Sequence, residues 1–354
     1  MKYLFYVCLV VSLISCDIFE HNKYSEGTFP DKVTNLGAIN SPDDDYNSMG
    51  HSLGNVMALM FSSKRGGRSD FNFVNESLNF QFDQRNGKFS FDNQPYGGLD
   101  VVEEHQPLNW ATSSVNSNSN ELGPYLRSYN DDLDITHTSQ DHFGEYLLLF
   151  ASDRIGNLDV YMTHNYQDST ARKATAEAGV TSRISNKRFV EPIPIPFLNS
   201  AADDAYPTFD KTYGAIYFTS NRDGSFDIFK AVLPAINPMK VQSRLPSLQG
   251  VSIEKVAGLS SSADDKCPFI NGNKLVFTSN RPGGYGGYDL YYSTWEGNRW
   301  SEPVNFGAAI NTAYDEYRPI LQSQMQFSNQ LMIFSSNRPG GKGGFDLYMV
   351  GVPR

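Results

Sequence analysis

Adjacent carboxylates are the side chains of this 354-residue chain with the most obvious capacity for chemistry. They recur as Asp44-Asp45, Asp203-Asp204, Asp264-Asp265 and Asp315-Glu316, with Asp131-Asp132 as a looser fifth pair. Gathered on one face, such pairs would make a negative rim that attracts a cationic peptide, a basic loop or a metal ion. Calcium would suit all-oxygen ligands, but carboxylates spaced round a wide ring would first have to converge, and no metal site is assigned. The same pairs would equally serve to order their own loops through Asx-type bonds.

A second recurring set is an Arg followed by an Asp. The two are five residues apart at Arg65/Asp70, Arg154/Asp159 and Arg222/Asp227, and eight apart at Arg281/Asp289 and Arg338/Asp346. Residues that return this regularly belong to the scaffold. Their natural roles are an ion pair within the unit or side-chain bonds to turn backbone. Catalysis would instead break the repeat, because only one or two units supply each role. Glycoside hydrolysis, for example, needs two carboxylates in a fixed relation. Asp83, Asp141, Asp210 and Glu254 depart from the repeat but assemble into no recognisable site. The six histidines (His21, His51, His105, His137, His142 and His164) show no metal-ligand spacing. There is no Gly-x-Ser-x-Gly elbow, His-Glu-x-x-His or Walker motif, and no cofactor is expected.

The elements that carry these residues are five copies of one unit: Phe61 to Phe73, Phe150 to Tyr161, Phe218 to Phe229, Phe277 to Tyr291 and Phe334 to Tyr348. Each ends an apolar run at Phe, passes a turn rich in Gly, Asn or Pro, and resumes at Asp with apolar and aromatic residues, the pattern of a β-hairpin. A phosphate-cradling loop would need a helix after its glycines. Here Tyr-Asp-Leu-Tyr-Tyr follows, so Gly283, Gly284, Gly286 and Gly287 read as turn residues with positive φ.

Extended to include the acidic pair, the unit resembles the WD-like propeller repeat of TolB and of related Bacteroidetes envelope proteins. The match is carried by Asp203-Asp204-x-x-Pro207 to Phe229, Asp264-Asp265-x-x-Pro268 to Tyr291, and Asp315-Glu316-x-x-Pro319 to Tyr348. The resemblance implies an all-β fold, a β-propeller over about 29–354, and a protein partner in the envelope; a fold alone gives no function. Five blades are expected. Phe82-Asp83-x-x-x-Gly87-x-x-x-Phe91 repeats the spacing of Phe209 to Phe218, so a degenerate sixth blade is the alternative. Against it, only 30 residues separate Phe61 from Phe91, and Asn86-Gly87 is a strong hairpin turn. The last unit has no room for an outer strand before Arg354. Val33-Thr34-Asn35-Leu36-Gly37, which echoes Pro303-Val304-Asn305-Phe306-Gly307, is expected to supply it and close the ring. Asn93 to Asn130 reads as a long surface loop with Trp110 and Tyr125 as residues to watch, and Ala171 to Ala178 has helical composition.

Residues 1–15 look like a secretory signal, too short to span a bilayer as a permanent helix. Leu13-Ile14-Ser15-Cys16 resembles a lipoprotein lipobox, which makes Cys16 the expected lipid anchor in the outer membrane, facing the periplasm or the cell surface, with 16–28 as a polar tether. Of the remaining cysteines only Cys267 lies in the mature domain, with no disulfide partner. A net charge of −10 argues against nucleic acid. The leading expectation is therefore a lipid-anchored, non-catalytic protein-binding or scaffold propeller. The alternative is a glycan-binding surface protein or five-bladed glycosidase that uses some of its 20 Tyr and 24 Phe to stack on sugars.

Overall fold

The computed structural model describes residues 23–53, 56–92, 99–129, 144–168, 170, 187–324 and 326–354. The described strands form five four-stranded antiparallel sheets. The first comprises β2 (Asp45–Leu53), β3 (Val56–Ser63), β4 (Asn72–Asp83) and β5 (Lys88–Asp92). The second is β6 (Glu121–Ser128), β7 (Tyr146–Ser152), β8 (Asp159–His164) and β9 (Ile193–Pro194). The third is β10 (Asp204–Phe209), β11 (Ala215–Ser220), β12 (Asp227–Val232) and β13 (Ser252–Lys255). The fourth is β14 (Asp265–Asn271), β15 (Lys274–Ser279), β16 (Asp289–Thr294) and β17 (Val304–Asn305). The fifth is β18 (Glu316–Ser323), β19 (Gln330–Ser336), β20 (Asp346–Val352) and, from the other end of the chain, β1 (Thr34–Asn35). The inner strands β2, β6, β10, β14 and β18 touch their neighbours in cyclic order. The fold is thus a closed five-bladed β-propeller.

The second strand of every blade is buried from end to end. Runs such as Tyr146-Leu-Leu-Leu-Phe150 are apolar without alternation because a neighbouring blade covers each face. Ring closure follows the sequence echo. Thr34 pairs with Met349 and Asn35 with Tyr348, and Asn40 exchanges side-chain bonds with both the N–H and the C=O of Leu347. The tether is shorter than expected, because the chain is already pinned from Tyr24, whose N–H donates to Gln84 O. Phe29, fully buried, stacks on Phe327 at 3.9 Å and meets Phe89 and Phe80 edge-on.

Phe82 pairs with Phe89 and Phe80 with Phe91 across a turn at Asn86-Gly87. The apparent sixth repeat is therefore the long outer hairpin of blade one. The segment expected as a loop over 93–130 departs from that reading: it contains helix α1 (Leu99–Val115) and then β6, the inner strand of blade two. Leu108, Ala111 and Val115 share one helix face and are buried against blade one, a spacing masked by the Ser/Asn tract beside it. Trp110 lies under Arg188 at 4.1 Å. Asp131, Asp132, Cys16, the signal segment and the helix expected at 171–178 lie outside the described residues.

Candidate functional site

The acidic pairs divide their labour. The second acid of each pair, Asp45, Asp204, Asp265 or Glu316, is fully buried. It pairs with the repeated Arg of its own blade: Asp45 with Arg65 at 3.2 Å, Asp204 with Arg222 and Asp265 with Arg281 at 2.6 Å, and Glu316 with Arg338 at 2.9 Å. Each Arg also donates from Nε to a Ser at the end of the second strand and from Nη2 to a carbonyl before the inner strand, as Arg281 does to Ser279 and Leu259. These acids close a cage inside the blade and do not reach the rim. The Arg partner is thus the acid that opens the inner strand, not the Asp after the hairpin turn. In the two longer turns that later Asp caps the turn: Asp289 accepts from the N–H groups of Tyr285 and Gly286, and Asp346 from that of Gly343. Of the four turn glycines, only Gly283 has positive φ. A Cβ on Gly286 or Gly287 would collide with Tyr314 O or Asp315 of the next blade, so close approach selects glycine there.

The first acids do face one end of the ring. Asp44, Asp203, Asp264 and Asp315 each accept the N–H of the residue before the third strand of the preceding blade (Phe345, Leu158, Phe226 and Tyr288) at 2.9–3.2 Å. They fasten blade to blade. Asp264 is also bonded by the Tyr288 hydroxyl at 2.8 Å and Lys266 at 3.2 Å. Burial pushes its pKa up, but the hydroxyl and the ammonium outweigh this and hold the carboxyl below the usual range. Blade two completes the set with Asn120-Glu121, which the sequence reading missed because only one member is acidic. Glu121 pairs with Arg154 at 3.1 Å, and Asn120 takes the Phe71 N–H at 3.0 Å.

Sequence variation concentrates in the channel. Every inner strand carries a register shift two residues after its buried acid, and the residue there has left-handed φ: Asn47, Gly123, Tyr206, Cys267 and Arg318. In the last four the next residue is Pro, which has no N–H to give the ladder and so favours a bulge. Asn47, Cys267 and Arg318 are fully buried, and Tyr206 is 6% exposed. Asn47 Nδ2 reaches the Tyr206 hydroxyl at 3.4 Å. A Cβ on Gly123 would collide with the Tyr206 ring, so glycine makes room for this plug. Tyr46 and Tyr317 stack at 5.2 Å over the acid end, with Phe345 and Tyr288 against them. The five channel positions hold no carboxylate, and among the described residues no three His, Cys, Asp or Glu side chains gather to hold a metal.

A different surface has the composition of a ligand site. Between blades three and four lies a cleft of about 750 Å³ lined by Tyr217, Lys230, Glu254, Trp295, Trp300 and Glu302 among others. A second hollow of about 340 Å³ adjoins it across Tyr217, Lys230 and the two tryptophans, bringing in Asp210. The tryptophans sit at either end of Trp295-Glu-Gly-Asn-Arg-Trp300, a hairpin added after β16 and joined by a bridge between the two. Their rings meet edge-on at 5.2 Å, and Trp300 Nε1 donates to Tyr217 Oη at 3.2 Å, fixing the inner ring. Trp295 is 37% exposed. Lys230 and Glu254 pair across the floor at 3.6 Å. Two of the three tryptophans in the chain stand five positions apart where the repeat is interrupted, which is the signal in the sequence that marks this cleft.

No protein-family model matches the chain, and no curated protein is similar to it in sequence. Solved structures are similar in fold. An endo-arabinase from Bacteroides thetaiotaomicron aligns with a TM-score of 0.50 at 12% identity, over 93% of this chain and 98% of that one. The catalytic domain of a GH62 α-L-arabinofuranosidase from Coprinopsis cinerea gives 0.46 at 10% identity, over 93% and 98%. An Agrobacterium tumefaciens protein assigned as TolB gives 0.35 at 11% identity, over 93% and 100%. At 12% identity the likeness to the endo-arabinase is one of fold alone; the chain's own five sheets define the class, a five-bladed β-propeller.

Proposed function

We propose that this protein is a carbohydrate-binding propeller of the cell envelope, lipid-anchored at Cys16, that holds a glycan chain in the cleft between blades three and four. The observation that carries the reading is the Trp295–Trp300 hairpin. An indole more than a third exposed, beside a partner held by Tyr217, offers an apolar platform for the C–H face of a sugar. Glu254, Glu302 and Asn298 stand round it as acceptors and donors for hydroxyls. The volume falls in the range of small-ligand sites. Hydrolysis fits less well, because it needs two free carboxylates in opposition. Here the channel positions have none, and the rim acids Asp44, Asp203, Asp264 and Asp315 are already engaged as acceptors.

Affinity electrophoresis through gels containing neutral plant and microbial polysaccharides tests this. At least one polysaccharide should retard the protein, Trp295→Ala should abolish the retardation with an unchanged unfolding midpoint, and no reducing ends should appear. Equal retardation of Trp295→Ala, or none on any polysaccharide, would overturn the proposal. Release of reducing ends that Asp264→Asn removes would replace it with a hydrolytic function.

A further inference from the structure

The Arg318 side chain stands at the middle of the propeller and is not explained by glycan binding. It is fully buried, the largest side chain in that condition among the described residues, on a backbone of φ 48°, where a long side chain is unfavourable. Its Nη2 donates to Pro124 O at 3.1 Å. Nε and Nη1 meet no acceptor among the described residues. The rings of Tyr206 and Phe269 lie 5.7 and 5.9 Å from the guanidinium carbon. The repeated Arg of each blade, only partly buried, has a carboxylate within 3.2 Å, but the ionisable groups acting on the fully buried Arg318 are Cys267, Tyr206 and Tyr46. None of them supplies a negative charge at neutral pH. Burial pushes the Cys267 thiol up to about 12 and raises both phenols.

Water in the channel would satisfy hydrogen bonds but not charge, and an uncompensated buried cation costs several kcal/mol by desolvation. An Arg cannot escape by losing its proton. The approach to the site is suited to an anion as well. The hollow of about 310 Å³ at the end of the ring away from the acids is walled by Phe269, whose ring centre lies 5.9 Å from the guanidinium carbon, together with Arg127, Asn271 and Gln322. Among the described residues its lining holds no carboxylate, although the chain as a whole carries −10.

We infer that the central channel is a binding site for a small monovalent anion of halide size, held by Arg318 and reached past Arg127 and Gln322. The anion is a structural counter-ion, one per ring, that stabilises the folded state alone.

The test uses the full mature domain. Unfolding by urea is measured at fixed ionic strength while sodium chloride replaces sodium gluconate, whose anion is far larger than a halide. Above the dissociation constant, each tenfold rise in chloride should increase the folding constant about tenfold. Bromide should behave alike and give one anomalous diffraction peak beside Arg318. Arg318→Met, which keeps length and loses charge, should lose the chloride dependence, while Arg318→Lys should keep it. A wild-type protein indifferent to chloride, bromide scattering absent from the channel, or an Arg318→Met variant with unchanged dependence would each refute the site. The diffraction measurement stands even if the Met variant does not fold.

Discussion

Exchanging Asn120 and Asp153 should restore what either change alone destroys. In blades three, four and five, the acid that opens the handover faces an Asn on the hairpin: Asp203 with Asn221, Asp264 with Asn280 and Asp315 with Asn337. Blade two has the same contact with the two residue types reversed, Asn120 N–H and Nδ2 donating to Asp153 at 2.8 and 2.6 Å. Asn120→Asp alone sets two carboxylates against each other. After the side chains move apart to about 4 Å, repulsion at an effective dielectric between that of water and that of a protein surface is about 1–4 kcal/mol. Both residues are half-exposed, so the lower part, about 1–2 kcal/mol, applies. Asp153→Asn alone loses one charge-assisted bond, about 1 kcal/mol. The double variant rebuilds the arrangement of the other blades and should lie within about 0.5 kcal/mol of the wild type, a coupling of about 2 kcal/mol. Urea unfolding of all four proteins measures this cycle. A double variant as unstable as the sum of the singles would refute the idea that the pair is one interchangeable clasp.

Arg281→Met leaves Asp265 buried without its cation and should cost about 3–5 kcal/mol, with Arg281→Met/Asp265→Asn recovering part of the loss in the same assay. Phe29→Ala empties a fully enclosed site at the ring seam and should cost about 3–5 kcal/mol, read as a lowered urea midpoint. The Cys267 thiol is held protonated in the fold up to about 12 and titrates near 8.5 when unfolded. Its contribution is therefore complete below about pH 8.5 and falls by about 1.4 kcal/mol per pH unit above it. Cys267→Ala should flatten the decline in stability between about pH 9 and 10. Cys16→Ser should move the protein from the detergent to the aqueous phase on Triton X-114 partition.

The architecture was legible because the repeat repeats its bonds as well as its letters. Asn35 and Asn40 at the start of the chain reappear as Asn305 and Asn311 before the last unit. Asn311 makes the same two-way contact with Leu290 that Asn40 makes with Leu347. Closure could therefore be read from the echo. The Arg partner could not, since the hairpin Asp is close in sequence whereas the true partner lies upstream, and only strand pairing brings Ser279 opposite Asp265 and so places Arg281. Glu121 was hidden for a related reason: its neighbour is Asn, and the contact survives because Asp153 supplies the charge from the other side. The channel ring escaped because Asn47, Gly123, Tyr206, Cys267 and Arg318 share a backbone conformation and no side-chain property.

The joining of β1 to β20 has a consequence for biosynthesis. Thr34 is among the first domain residues to leave the ribosome and its partner Met349 among the last. Until then β1 has no partner, blade five ends in an unpaired edge along β19, and the buried surface around Phe29 is open to solvent. Four blades are able to pack while the ring stays a crescent, and closure waits for β20. A permuted chain opened between two blades, with the present termini linked, would complete that seam early and spend less time as an open edge.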